Sequence, residues 1–526
     1  MTATVQTLLR MRAADPRDAL LFGRRRWSWS TYVAESAARA KALGALRDPT
    51  RPFHVGLLMD NTPEMAMALG AAGLGGFVAV GLNTSRRGEG LARDARHTDC
   101  QIVLTDEAHL HLLDGLDLDG ARVVDVSNPS WFALVDVMAH GELNAVRAAP
   151  DDLFMLTFTS GTSGEPKAVR VTHDKVADPA QHLVERLGLS AADRCYISMP
   201  LFHSNAIVAG WGVALVAGAT FALAERFSAP RVVDDIRRYG ATYMNYVGKA
   251  LAYVLATPRR QNDAQNPLRV AFGNEASDRE VEAFGKRFGC RVVDGFGSTE
   301  NAVVVSRTAD TPAGALGKPA YGVAVIDRVT GQECPRAVFS WSGQVMNFHD
   351  AVGELVNTTG PGQFAGYYND ADATAERMRG GMYWSGDLAY RDVDGFVYFA
   401  GRVSDWVRVG GESLAAAPIE RILLRHPDVN RVAVYGVPDD KVGDQLMAAL
   451  VLQDGALFGS RDFERFLALQ TDLGTKMWPR YIRVASQLPA TATNKVLKRA
   501  LVRQGLSTGY DHLWVRSERG TTYSPL

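Results

Sequence analysis

The chain has 526 residues, 47% hydrophobic and 22% charged, the proportions of an ordinary globular protein with sizeable cores and more than one domain. A formal net charge of −1 leaves no electrostatic footprint for nucleic acid or for an acidic membrane face. The four cysteines (Cys100, Cys195, Cys290 and Cys334) are far apart and form no CxxC pair, which argues against a disulfide framework or a zinc site and fits a reducing cytoplasm.

The first residues, MTATVQTLLRMRAADPRD, carry charges where a signal peptide needs its apolar core, so export is not expected. The run Arg24-Arg25-Arg26 precedes alternating Trp27 and Trp29 and reads as an exposed strand edge. From residue 30 to about 330, helical and strand-like patterns alternate, the mark of an α/β domain with largely parallel sheets. Leu69–Leu82 (LGAAGLGGFVAVGL) reads as helix, glycine stop, strand. Its glycines end a helix rather than open one, so they do not make a dinucleotide fingerprint.

The stretch Thr157-Phe158-Thr159-Ser160-Gly161-Thr162-Ser163-Gly164-Glu165-Pro166-Lys167 carries the strongest chemical signal. Small flexible residues let backbone N–H groups close around a phosphate, hydroxyls add donors, and the lysine adds charge. It is not a Walker loop, because Glu165 and Pro166 separate Gly164 from Lys167 and Ala168 follows the lysine. Lys167 to His173 (KAVRVTH) alternates like a strand, so the loop joins two strands and lacks a helix dipole.

Ala206–Ala224 is uncharged and nearly long enough to span a membrane, but Gly218 sits where a helix stops. A buried helix to Ala217 followed by a strand Thr220–Ala224 is expected. Next, Leu268–Phe272 reads as a strand, Gly273-Asn274-Glu275-Ala276 as a loop, and Ser277 with Glu280 as a capping box. Val281, Phe284 and Phe288 give the following helix one apolar face, Gly289 ends it, and Cys290–Asp294 is the next strand. In such a βαβ unit the loops after both strands share one sheet edge, so GNEA and Gly295-Phe296-Gly297-Ser298-Thr299-Glu300 should meet at one crevice. There Glu300 offers a hard carboxylate for Mg2+ and Phe296 an aromatic face for a planar ring.

In Ser385–Arg402 (SGDLAYRDVDGFVYFAGR), Asp394-Gly395 between alternating strands signals a two-residue hairpin turn. Pairing outward from that turn sets Asp387 opposite Arg402. Leu488–Leu501 (LPATATNKVLKRAL) places Lys495 on a turn-rich loop before a short basic helix.

These separated motifs together resemble the adenylate-forming superfamily, and within it the acyl-CoA synthetases. TFTSGTSGEPKAV is similar to that family's phosphate-binding signature, GFGSTE to its adenine and magnesium motif, WSGDL with GRVSDW to its ribose and hinge motifs, and LPATATNK to its catalytic-lysine motif. They occur in the family's order and span nearly the whole chain. The resemblance implies that Thr159, Ser160, Gly161, Thr162, Ser163, Gly164 and Lys167 cradle the ATP phosphates. It implies that Asn274, Glu275 and Phe296 border adenine, beside Gly297 and Ser298, that Thr299 touches the α-phosphate and that Glu300 holds Mg2+. Asp387 would bind the ribose with Arg402 beside it, and His203 (in PLFHSN) would line the acyl pocket. Gly411 would line the pantetheine channel of coenzyme A, and Lys495 would bridge the carboxylate and the α-phosphate.

The implied fold is α/β: a large N-terminal domain, residues 1–402, of stacked mostly parallel sheets with helices and a small barrel-like part, and a small mobile α+β domain, residues 403–526, carrying the lysine. Three positions depart from the family pattern: Ala168 and Asn494 stand where glycine is usual, and Ser404 stands where an Asp or Lys hinge is common, with Asp405 next to it, so that the pivot is Ser404, Asp405 or both. The implied reaction adenylates a carboxylic acid with ATP and passes the acyl group to coenzyme A. NYVGKALAYVLATP and GYYNDADATAERM look most like actinobacterial long-chain, very-long-chain and steroid side-chain ligases, which implies a bulky hydrophobic acid. Loading of a carrier protein, or a non-catalytic nucleotide sensor of the same fold, are the alternatives. The expected partners are small molecules only, in the cytoplasm, with peripheral membrane contact and a homodimer left open.

Overall fold

The computed structural model describes residues 3–140, 143, 146–159, 166–308, 310–341, 345–402, 406–409, 412–439, 443–453, 455, 456, 458–471, 473–490, 496–507, 509, 511–517 and 520–526. The chain forms two compact units, Met1–Ala302 with Gln363–Glu376, and Val303–Gly362 with Arg377–Leu526.

Among the described residues the first unit holds two sheets. One is seven-stranded, in the order Arg291–Gly295, Val270–Asn274, Tyr243–Val247, Arg194–Ile197, Thr220–Leu223, Asp18–Phe22 and Arg25–Ser28. All its neighbours run parallel except the last hairpin. The arginine run therefore lies on an edge strand, where Arg25 and Arg26 are exposed, as their charge requires. The other sheet has six strands, in the order Arg122–Asp125, Cys100–Thr105, His54–Leu58, Val78–Gly81, Leu153–Thr159 and Lys167–Thr172, parallel except for the last pair.

One apolar core takes side chains from both sheets. The helix Pro63–Gly75 is apolar on nearly every side and buries every residue from Met65 to Leu74. It is tied by Tyr32, whose hydroxyl donates to the Ala66 carbonyl at 2.6 Å and accepts from the Trp211 indole at 3.0 Å. Gly76 and Gly218 end their helices in the left-handed region (φ 70° and 66°), the stops expected from the sequence.

The buried apolar segment is a helix, but not a uniform one. Ala206–Gly212 is wound as a π-helix and only Val213–Ala217 as an α-helix, before the strand Thr220–Leu223. Hydropathy reports burial and not winding, so this bulge left no mark in the sequence pattern. Among the described residues no helix is long and apolar enough to cross a membrane.

Among the described residues the second unit holds three sheets, the smallest being the antiparallel pair Val305–Ser306 with Lys318–Pro319. Another antiparallel one contains Val323–Ile326, Gly353–Asn357, Met378–Arg379, Met382–Arg391 and Val397–Arg402. In the largest, Val429–Asp439 and Gly443–Leu452 form the longest pair, and among the described residues only Gly443–Leu452 with Tyr481–Val484 runs parallel. Ile419 and Leu423 of the helix Ala416–Leu423, with Phe463 and Leu467 of Ser460–Ala468, supply that sheet's core.

Candidate active site

The strands Leu153–Thr159 and Lys167–Thr172 pair antiparallel with Thr159 opposite Lys167, so the glycine-rich loop does join two strands. Ser160, Gly161, Thr162, Ser163 and Gly164 lie outside the described residues. Lys167 is buried, with its ammonium 5.2 Å from the centroid of the Tyr367 ring and 3.6 Å from the Glu376 carboxylate. The open edge of its strand is covered by residues 366–368: the Arg170 amide donates to the Gly366 carbonyl at 3.2 Å and the Tyr368 amide to the Ala168 carbonyl at 2.8 Å. Ala168, where the family usually has glycine, is a fully buried strand residue.

His173 does not end that strand but opens the helix His173–Leu187. It is buried against Phe154, ring centroids 5.4 Å apart, and its Nδ1 has no hydrogen-bond partner among the described residues. Burial pulls the imidazole down to about 4, against the opposing pull of Asp152 and Asp174. The unfolded chain takes up this proton near 6.5, so between those values the unfolded state binds more protons. Stability is therefore full above pH ~6.5 and falls as pH drops toward ~4, by up to roughly 3 kcal/mol. Urea unfolding across this window should show a flatter acid limb in His173→Gln than in the parent; identical limbs would refute the assignment.

Glu300 is 8% exposed and accepts a hydrogen bond on Oε1 from the Tyr367 hydroxyl at 2.9 Å. Lys175 is also buried, donates to the Arg170 carbonyl at 3.3 Å, and is brought down to about 8 by burial, opposed by Glu300 and then by Asp174. Among the described residues no group of three or more His, Cys, Asp or Glu side chains is placed to hold a metal ion. A single oriented carboxylate instead fits a hard cation that takes most of its oxygens from phosphates and water, as Mg2+ does.

Both strands of the predicted βαβ unit are displaced toward the C-terminus, the first by two residues and the second by one. Val270–Asn274 absorbs Gly273 and Asn274, and Arg291–Gly295 absorbs Gly295, because Asn274 pairs in register with Gly295. Gly273 is needed there, since a Cβ would run into the carbonyl of Tyr246 on the neighbouring strand. The capping box of Ser277 and Glu280 is present, and Phe284 and Phe288 are buried. The loops meet as expected. The Asn274 side-chain amide donates to the Gly295 carbonyl at 2.9 Å, and the Ala276 amide donates to Asp294 at 3.0 Å, which also accepts from the Tyr246 hydroxyl at 2.8 Å. Glu275, between them, is held in the left-handed region (φ 71°), a cost tolerated where a backbone position is over-determined. Phe296 is half-buried, Gly297 and Ser298 are exposed, and Thr299 is half-buried.

His203 sits one residue before the helical run that becomes the π-segment. Its two followers reach the segments that end the strands Val270–Asn274 and Arg291–Gly295. The Ser204 hydroxyl lies 3.0 Å from that of Thr299, and Asn205 donates to the Asn274 side chain at 3.3 Å while accepting from Asn245 at 2.7 Å. Thus the residue expected in the acyl pocket is one or two residues from groups bonded to the expected adenine and α-phosphate residues. Ser204, Asn205, Asn245, Asp294 and Tyr367 were not singled out from the sequence. Ser204 and Asn205 lie inside the PLFHSN motif and Tyr367 inside GYYNDADATAERM, but neither motif pointed to these contacts.

Asp387 and Arg402 belong to the second unit. They pair across the ladder, with Arg402 Nε 3.2 Å from Asp387 Oδ1. The register that brings them together is not the one expected. The turn spans three residues, Val393-Asp394-Gly395, with Asp392 bonded to Phe396 and Gly395 at φ 86°, which displaces the pairing by one. A bulge between Leu388 and Ala389 restores it before Asp387 is reached. Glu354, 2% exposed, then fixes the Asp387 backbone by accepting from the Gly386 amide at 2.7 Å, and it is paired with Arg328 at 3.0 Å and Arg379 at 3.3 Å. Gly411, Asn494, Lys495 and both hinge candidates, Ser404 and Asp405, lie outside the described residues.

Against known proteins, residues 10–368 match the AMP-binding enzyme family and residues 418–495, ending on the expected lysine, match the AMP-binding enzyme C-terminal domain. A medium/long-chain-fatty-acid–CoA ligase of Mycobacterium marinum, FadD17, is 53% identical over 487 residues, 93% of each chain. A steroid-22-oyl-CoA synthetase of Rhodococcus jostii is 44% identical over 512 residues, 95% of this chain and 91% of the relative. ATP-bound MatB from Rhodopseudomonas palustris has the same fold, with a TM-score of 0.84 over 96% of this chain and 99% of its own at 24% identity. With a family match over most of its length and full-length relatives of high identity, the chain belongs to the AMP-binding enzyme family.

Proposed function

We propose that this chain is an ATP-dependent acyl-CoA ligase that activates a hydrophobic carboxylic acid, a long-chain fatty or steroid side-chain acid. The observation that carries the reading is the near full-length identity, 53% and 44%, to two relatives named for ligation of such acids to coenzyme A. In the first half-reaction a carboxylate oxygen attacks the α-phosphorus of ATP and pyrophosphate leaves. In the second, the thiol sulfur of coenzyme A attacks the acyl carbon and AMP departs.

Such chemistry asks the protein for positioning and charge stabilisation rather than a nucleophile. Lys167 and the loop from Thr159 to Gly164 would hold the phosphates that become pyrophosphate. Asn274, Glu275 and Phe296, with Gly297 and Ser298, would border adenine, and Thr299 the α-phosphate. Glu300 would hold Mg2+, which when bound neutralises charge on the phosphates. Asp387 with Arg402 would take the ribose, His203 the acyl side, Gly411 the pantetheine arm, and Lys495 the reacting carboxylate and α-phosphate. The hydrogen bonds of Ser204 to Thr299 and of Asn205 to Asn274 support a common role for the His203 turn and the nucleotide loops. We assign residues 1–402 to the adenylate-forming domain and 403–526 to a mobile domain, with the pivot at Ser404 or Asp405. The free, scattered cysteines support a cytoplasmic site of action.

Pyrophosphate release measured against a panel of acids tests the substrate class. Fatty and steroid side-chain acids should support turnover with kcat/KM at least ~10²-fold above acetate or amino acids, since each methylene excluded from water adds roughly 0.8 kcal/mol. A preference for acetate or an amino acid would overturn the assignment.

A further inference from the structure

Residues 363–376 belong to the first unit although the chain on either side of them belongs to the second. Within this strap Tyr367 is 5% exposed and held on several sides. Its amide donates to the Thr374 hydroxyl at 3.0 Å, its ring meets Phe364 edge-on with centroids 5.1 Å apart, and it bridges to Val169 on the strand that begins with Lys167. From that position one side chain touches two groups of the nucleotide site. The hydroxyl donates to Oε1 of Glu300 at 2.9 Å, and the ring lies 5.2 Å from the Lys167 ammonium.

The two contacts use different parts of the ring and reinforce one another. A donor on one carboxylate oxygen fixes the direction in which the other oxygen points. A cation near an aromatic face is held by the ring quadrupole, most strongly where water is excluded. The ion-pair partner of Lys167 among the described residues, Glu376, is 73% exposed at 3.6 Å, so that pair is weak and exchangeable while the buried ring stays in place.

We propose that Tyr367 is a positioning residue for the metal–nucleotide complex: one rigid ring sets the spacing and direction of the Glu300 carboxylate and the Lys167 ammonium before ATP arrives. This rests on the reading of Glu300 as the magnesium ligand. Its consequence is that metal and phosphate affinities are coupled through a residue that touches neither.

Tyr367→Phe, Tyr367→Leu, Glu300→Gln and the Tyr367→Phe/Glu300→Gln double variant separate the two ideas. The readout is binding of Mn2+ with ATP, followed by the electron paramagnetic resonance of free Mn2+, with thermal unfolding as a check on folding. Tyr367→Phe should weaken Mn2+ binding in the presence of ATP roughly 10-fold, the low end for an outer-shell partner, with its unfolding transition retained. Tyr367→Leu, which also removes the ring, should weaken metal-free ATP as well. In the Glu300→Gln background, Tyr367→Phe should cause no further loss of Mn2+. Parent affinity in Tyr367→Phe, or an equal further loss in the double variant, would overturn the proposal. Parent affinity in Glu300→Gln would instead remove the magnesium assignment on which it stands.

Discussion

Lys495→Ala is expected to lower the rate of acyl-adenylate formation by roughly 10²–10³-fold while leaving thioester formation from a preformed acyl-adenylate near the parent rate. The split follows from what the lysine would do. In the first half-reaction two anions, the carboxylate and the α-phosphate, must approach and share a transition state. A fixed ammonium there costs no reorganisation when charge develops. In the second half-reaction the nucleophile is a thiol and the acyl carbon is already activated, so the same ammonium is not needed to bring anions together. Acid-dependent exchange of labelled pyrophosphate into ATP reads the first step, and thioester formation from synthetic acyl-adenylate the second. Parent-rate exchange in the variant would remove Lys495 from the site.

Asp387→Ala is expected to cost roughly 10- to 100-fold in kcat/KM for ATP, with the KM of the acid within about two-fold of the parent. The magnitude is that of hydrogen bonds to a charged group, about 1.5–3 kcal/mol. The carboxylate is buried and its backbone is held through Gly386 by Glu354, whereas Arg402 is 39% exposed. A cross-strand ion pair of that exposure stabilises the ladder by only a few tenths of a kcal/mol. The change should therefore be large in ATP kinetics and small in thermal stability. Unchanged ATP kinetics with a clear stability loss would make the pair a strand tie and nothing more.

What could be read from the residues depended on the range over which the cause acts. The capping box at Ser277 and Glu280, the helix stops at Gly76, Gly218 and Gly289, and the strand character after Lys167 are local, and all are present. The meeting of the loops after Asn274 and Gly295 was also legible, because parallel strands joined by a helix leave their loops on one edge. The Asp387–Arg402 pair was found through an incorrect turn: a third turn residue and a bulge shift the register in opposite senses and cancel. No pattern rule anticipates a bulge at that point, since its cause lies in the fit of neighbouring strands. The contacts of Tyr367, a residue of the GYYNDADATAERM stretch, were invisible for a stronger reason. Its partners Glu300 and Lys167 are far away in sequence, and only the docking of the strap along the Lys167–Thr172 edge brings the three together.

Product analysis with free coenzyme A tests the central claim most directly. The protein is incubated with ATP, Mg2+, a fatty or steroid side-chain acid and coenzyme A, and thioester, AMP and pyrophosphate are quantified by mass spectrometry. The account predicts equal amounts of all three and none of them when the acid is left out. AMP and pyrophosphate without thioester would point to a carrier-protein acceptor, and ATP binding with no products under any acid would contradict the ligase reading altogether.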